Sequence, residues 1–313
     1  MQITVEFSVQ GVVQGVGFRP FVYRLATAMG INGWVNNSTA GATVVITGTP
    51  DLIARFGQRL QTELPAPGKI EQLSVKQLAL EPFTDFQIRP SSTGEKTTTI
   101  LPDLAPCPAC LEELFNPNDR RYGYPFTNCT HCGPRYSIIH QLPYDRPHTT
   151  MAPFVMCPDC QREYNDPHNR RFHAQPNACP RCGPHLAYWD RSGAVLGERD
   201  EALKMAIAAL NAGKILAIKG VGGFQLCCDA TNFKAVATLR ERKQRPAKPL
   251  AVMYPQSDLV AQDCELSNSE LTVLQSNAAP IVLLRKKPSL RLATNIAPAN
   301  GEIGVMLPSS PLH

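Results

Sequence analysis

Eight of the chain's eleven cysteines fall into two sets with one spacing. Cys107, Cys110, Cys129 and Cys132 read C-x2-C-x18-C-x2-C, and Cys157, Cys160, Cys179 and Cys182 repeat the pattern 50 residues later (129 − 110 − 1 = 18; 179 − 160 − 1 = 18). The copy extends beyond cysteine. CPAC is matched by CPDC, Asn116-Pro117 by Asp166-Pro167, Arg120-Arg121-Tyr122 by Arg170-Arg171-Phe172, and both copies close on Cys-Gly-Pro. Repeats this short and proline-rich cannot bury much apolar surface, so something else must hold them. Each C-x2-C knuckle offers two sulfurs to one ion, and two knuckles fill a tetrahedral shell at about 2.3 Å with no position left for a reacting water. The pattern predicts two structural zinc ions, one per repeat, that supply much of the folding free energy of this region. Spacing alone also allows knuckles to be crossed between the repeats.

A disulfide framework is the competing explanation. The opening MQITVEFSVQ lacks the basic start, apolar core and cleavage site of an export signal, and no later run approaches about 18 apolar residues. The chain reads as cytoplasmic with no membrane partner, and a reducing compartment favours metal over disulfide. Four thiolates around a divalent ion carry 2 − 4 = −2, so two such sites take the formal charge from +5 to about +1. The basic balance is therefore a weak argument for nucleic acid. The repeated arginine pairs fit structural salt bridges, and His131, His140, His148, His173 and His185 read as surface or packing residues, because cysteine already completes each metal shell.

Ahead of the cysteines, residues 3–13 have strand composition. Phe18, Phe21, Val22, Leu25, Ala26 and Met29 then recur at helical spacing, closed by Gly30. Strand-like stretches at 31–37 and 42–48, a helix carrying Leu52, Ile53, Phe56 and Leu60, and strands at 70–80 and 86–89 complete a split β-α-β order of ferredoxin-like type. Between the first strand and helix lies GVVQGVGFR, residues 11–19. Its glycines let backbone N–H groups converge, the helix start adds unpaired donors, and Arg19 adds a planar fork. Gln14, Gly15, Val16, Gly17, Phe18 and Arg19 are thus expected to form a phosphate-binding loop. With GWVNNS at 33–38, this segment resembles the acylphosphatase family over about residues 1–90. The resemblance implies two catalytic residues: Arg19 to bind the phosphate of an acyl phosphate, and Asn37 to orient the attacking water.

Past about residue 195, Ala202, Leu203, Ala206, Ile207 and Leu210 form a helical stripe. Ala212-Gly213 then turns the chain into an apolar strand at 215–221, followed by a helix at 232–242 and strands at 250–254 and 280–284. Ser267-x-x-Glu270 is a capping box. In KQRPAKP, residues 243–249, Pro246 and Pro249 restrict the backbone, so Lys243, Arg245 and Lys248 crowd together as a triphosphate site would need. Cys227, Cys228 and Cys264 read as buried small side chains. With IKGVGGFQLCCDA at 218–230, the loop resembles the K-x-R-x-x-K-P signature of the YrdC/Sua5 family. That implies ATP, with Mg, at Lys219, Lys243, Arg245 and Lys248. The closing GEIGVMLPSSPLH reads as strand and turn, which predicts a domain truncated at its C-terminus.

In this order the parts resemble the HypF-type carbamoyltransferases of [NiFe]-hydrogenase maturation. The expected architecture is an α+β multidomain chain: a ferredoxin-like acylphosphatase domain at 1–90, a linker at 91–104, a duplicated four-cysteine zinc-ribbon-like module at 105–190, and a partial α/β YrdC-like domain at 195–313. The resemblance implies hydrolysis of carbamoyl phosphate, ATP-dependent formation of carbamoyl adenylate, and transfer to a cysteine of a HypE-type acceptor protein as a cyanide precursor. Members of the family continue into a transferase domain with a histidine-rich motif absent from these residues, so the expectation for this chain is the hydrolytic step. Two other classes stand beside it. An RNA-binding or tRNA-modifying protein would show steep salt dependence, and a stand-alone acylphosphatase would work without ATP or carbamoyl preference.

Overall fold

A computed structural model describes residues 1–92 and 98–313, so residues 93–97 of the expected linker lie outside the described residues. The chain divides into two compact units, Met1–Asp103 with Thr127–Gly183, and Leu104–Phe126 with Pro184–His313. Among the described residues, no helix is long and apolar enough to cross a membrane.

The first unit carries a five-stranded sheet. Its elements are β1 (Ile3–Val12), α1 (Phe18–Ala28), β2 (Asn32–Ser38), β3 (Gly41–Gly48), α2 (Pro50–Thr62), β4 (Lys69–Leu78) and β5 (Phe86–Ile88). The strand order is β4-β1-β3-β2-β5, antiparallel except for the β2–β5 edge. This is the expected ferredoxin-like arrangement with one added strand. Alternation decides the buried face of β1, where Val5, Phe7 and Val9 point inward. The helices cover that face with Phe18, Phe21, Val22 and Leu25 from α1 and Ile53, Phe56 and Leu60 from α2. Helix α2 begins where the chemistry permits, with Thr49 capping the Leu52 N–H and Pro50 in the first turn.

Thr127–Gly183, in the same unit, has little regular structure beyond the helix Pro158–Asn165. Its apolar cluster consists of Ile138, Tyr144, Met151 and Ala178. Arg135 and Arg171, both at most 2% exposed, take the interior positions that a larger core would give to leucine. Both guanidinium groups have partners: Arg171 Nε donates to Asn128 O at 3.0 Å and its Nη1 lies 4.0 Å from Glu163 Oε1, and Arg135 donates to the carbonyls of Cys129, Thr130, Cys132 and Pro134.

The second unit contains a three-stranded sheet in which Glu302–Met306 lies between Val252–Met253, parallel, and Val282–Arg285, antiparallel. The expected strands are present, with 250–254 reduced to two paired residues. Helices Phe233–Arg242, Ser257–Asp263 and Asn268–Leu274 belong to this unit, and Val236, Val260, Leu274, Leu284 and Val305 form its core. The capping box is complete, with Ser267 and Glu270 each bonding the other's backbone N–H. The strand read at 215–221 is present as Leu216–Gly220, and it pairs with Gly223–Cys227 as a separate hairpin outside the three-stranded sheet. Phe224 and Leu226 on the second arm are exposed, so no alternating core pattern marked it. Cys264 is buried as expected, whereas Cys227 and Cys228 are only half-buried.

Candidate active site and metal centres

The loop between β1 and α1 turns at Gly15 and Gly17, with φ 73° and 74°. Side chains rarely adopt this backbone. Space excludes them as well, because a Cβ on Gly15 would lie 2.8 Å from Arg135 Cδ. The Gly15 carbonyl accepts from Arg135 Nε, so the loop rests on a buried arginine just beyond the second knuckle of the first cysteine set. Gln14, expected in the phosphate-binding loop, is 3% exposed and braces it. Its amide donates to Ser38 O (2.5 Å) and Gly41 O (2.8 Å) and accepts from Tyr144 N–H at 2.9 Å. Gly17 opens α1 without a side-chain cap. The first turn of that helix therefore presents N–H groups to an anion.

Arg19 and Asn37, 18 residues apart, meet in this recess and are 8% and 2% exposed. With the Asn37 oxygen facing the guanidinium, it accepts from Arg19 Nε and Nη2 at 3.2 and 3.3 Å. Arg19 Nη2 also donates to Asp145 Oδ1 at 2.7 Å, and Ser91 Oγ donates to the second Asp145 oxygen. The recess is narrow, with a cavity volume of about 30 Å³. Gly15, Gly17, Arg19 and Asn37 form one wall, and Thr130, Arg135, Tyr144, His173 and Gln175 form the facing one. Burial, reinforced by the Arg19 charge and opposed by Asp145, holds the His173 imidazole down to about 4. The ring is therefore neutral near pH 7. Sequence reasoning placed Arg19 and Asn37 but missed Asp145 and Arg135, and read His173 as a surface or packing residue. All three lie more than 100 residues from the loop, and no local period connects them to it.

Each cysteine set gathers its own four sulfurs within 4.8 Å, so the knuckles are not crossed between repeats. Adjacent Sγ atoms of the second set are 3.6–3.7 Å apart, as are Cys129 and Cys132 at 3.7 Å. Sulfurs at about 2.3 Å from a tetrahedral zinc stand about 3.8 Å from one another. Both sets fit a structural zinc ion, which supplies folding free energy and no open coordination position. Among the described residues, each of the two clusters is made of cysteine alone.

The cationic loop of the second unit is organised by a residue that sequence reasoning passed over. Arg240, 7% exposed, donates to the carbonyls of Asn295, Arg245, Pro246, Lys248 and Ile296. Arg245 in turn donates to Pro249 O at 2.6 Å and Lys248 O at 3.3 Å, closing the loop on itself. Lys243 and Lys248 are exposed on it. Lys219 is exposed on the hairpin, its ammonium 5.8 Å from the Phe224 ring centroid.

Three family models match the chain. The acylphosphatase model covers residues 5–88, the HypF finger covers 107–139 and 156–189, and the Sua5/YciO/YrdC model, described as telomere recombination, covers 208–313. A carbamoyltransferase HypF from a Synechocystis species is 66% identical over 310 residues, 99% of this chain and 40% of the relative. A Rhodobacter capsulatus carbamoyltransferase HypF is 48% identical over 97% of this chain and 40% of its own length. An acylphosphatase of Caldivirga maquilingensis is 36% identical over 90 residues, 28% of this chain and 94% of the relative. Among solved structures, full-length HypF in a phosphate- and nucleotide-bound form superposes with a TM-score of 0.92 at 42% identity, over 100% of this chain and 41% of that one. The chain thus spans about two-fifths of the length of the HypF relatives it matches.

Proposed function

Because the chain belongs to the HypF carbamoyltransferase family across nearly its whole length, we propose that its glycine loop hydrolyses carbamoyl phosphate and that its YrdC-like part handles the product with ATP. The observation that carries this is the meeting of Arg19 and Asn37 at 3.2 Å beside two left-handed glycines, in one recess. Loop amides and the guanidinium hold the phosphoryl oxygens. Asn37, fixed against Arg19, is assigned to orienting a water in line with the scissile P–O bond. Water oxygen bonds to phosphorus, the carbamate oxygen departs with the bonding electrons, and the water proton passes to solvent or phosphate. Catalysis is positioning plus charge stabilisation, with no covalent enzyme intermediate.

We assign residues 1–90 to this step, 105–190 to the zinc module and 195–313 to the nucleotide step. Lys219, Lys243, Arg245 and Lys248 would receive ATP with Mg, and the carbamoyl adenylate would supply a cysteine of a HypE-type acceptor. Carbamate decomposes in water, so enclosing both sites in one protein keeps it from being lost. The loop carries the hydrolysis and can be tested alone. Arg19→Ala should lower carbamoyl-phosphate hydrolysis by about a thousandfold, measured as phosphate release, with the circular dichroism of the sheet retained. Unchanged turnover would remove Arg19 from the mechanism. Carbamoyl-dependent pyrophosphate exchange with ATP tests the second step separately.

A further inference from the structure

The duplication allows a comparison within one chain. Fifty residues before His173 stands Gly123 (173 − 50 = 123), and both adopt the left-handed backbone, at φ 54° and 64°. Both make the equivalent backbone bond, Gly123 N–H to Leu114 O at 2.9 Å and His173 N–H to Tyr164 O at 3.0 Å. The first copy meets this turn with glycine. The second carries a histidine there, at a cost of about 1 kcal/mol. Such strain persists where something offsets it. The ring packs on Tyr164 and Phe172, with centroids 4.9 and 4.7 Å away. A phenyl ring would serve that packing equally well, and what it would lack is the pair of ring nitrogens.

His173 lines the recess facing Gly15, Gly17, Arg19 and Asn37. The other polar side chains of its wall are committed. Thr130 Oγ1 donates to Arg170 O, Tyr144 OH to Pro134 O, and Arg135 to carbonyls. Gln175 donates to His173 O and Tyr164 OH and accepts from Arg146 N–H. Among the described residues, the His173 imidazole makes no hydrogen bond to any of them. The wall therefore offers a guest one free donor and one free acceptor on a single ring.

We propose that His173 is a specificity-determining residue that contacts the acyl end of the substrate, its acceptor nitrogen taking an N–H of a carbamoyl group. This rests on the reading of the loop as an acyl-phosphate cradle. A phosphoryl group seated on the loop amides and Arg19 directs its acyl group at the facing wall. A carbamoyl group brings an NH2 donor, which matches the acceptor nitrogen of a neutral imidazole. An acetyl group brings a methyl where the NH2 would be and leaves the ring acceptor unpaired. The Caldivirga acylphosphatase, 94% of which aligns with 90 residues of this chain, has no length for a counterpart of segment 127–183. Selection at the acyl end is then a property that this segment adds to the cradle.

The test uses the zinc-loaded 313-residue chain, with kcat/KM for carbamoyl phosphate and acetyl phosphate and inhibition by inorganic phosphate measured on wild type, His173→Gly and His173→Asn. Glycine and asparagine both accept the left-handed backbone. His173→Gly should lower the carbamoyl-to-acetyl ratio about tenfold while the phosphate inhibition constant stays within about twofold. His173→Asn, which keeps a donor and an acceptor, should restore part of the ratio. One ratio in all three proteins overturns the proposal and leaves the cradle intact. Loss of phosphate inhibition in parallel also overturns it, because His173 would then act on the cradle itself. Hydrolysis of neither acyl phosphate by the wild type removes the cradle reading and the proposal together.

Discussion

In the five-stranded sheet the interior is Phe7, Phe18, Val44, Ile46, Phe56 and Leu60, side chains whose burial gains free energy in proportion to area and without regard to direction. In segment 127–183 of the same unit the interior is guanidinium, carbonyl and thiol, beside a small apolar cluster of four buried residues. The first kind of interior tolerates small displacements. The second depends on donors, acceptors and four ligands all being in place, since a buried guanidinium or thiolate without partners is costly. The difference teaches where each region should fail: the sheet gradually with lost area, the segment abruptly with one lost partner.

Chelation is the largest test of that contrast. Removing zinc should withdraw on the order of 10 kcal/mol from the cysteine region. Hydrogen exchange should then lose protection across 127–183 while strands β1 and β3 keep theirs, and concerted loss across both would break the contrast. Phe56→Ala should cost about 4 kcal/mol, seen as a lower urea midpoint with zinc content unchanged. Metal loss in that variant would mean the sheet's area also holds the segment. Arg135→Ala should cost about 3 kcal/mol and, because its bonds reach both Gly15 O and the knuckle carbonyls, should weaken phosphate inhibition and zinc retention together. An effect on only one of the two would show which side the arginine serves.

Much of the sheet region could be read along the chain, because alternation in β1 and the helical spacing of Phe18 to Leu25 are local consequences of burying one face. The metal clusters were legible for a similar reason: a knuckle writes its geometry into four consecutive residues. What stayed hidden were partners joined only by folding. Asp145 beside Arg19, Arg135 beneath Gly15 and Arg240 inside the cationic loop are polar residues with no periodic signature. A sign of His173 was present in the repeat itself, where the first copy holds glycine and the second does not. The hairpin arm Gly223–Cys227 escaped notice because exposed Phe224 and Leu226 leave no inward face to detect.

The support that the glycine loop draws from beyond residue 127 bears on anyone who would excise the first ninety-odd residues as a convenient miniature hydrolase. In such an excised piece Gln14 Oε1 would lose its amide donor, Gly15 its guanidinium and Arg19 its carboxylate. The mouth of the catalyst would then open straight onto solvent, and what remained would cleave mixed anhydrides of phosphoric acid with little regard for what they carry.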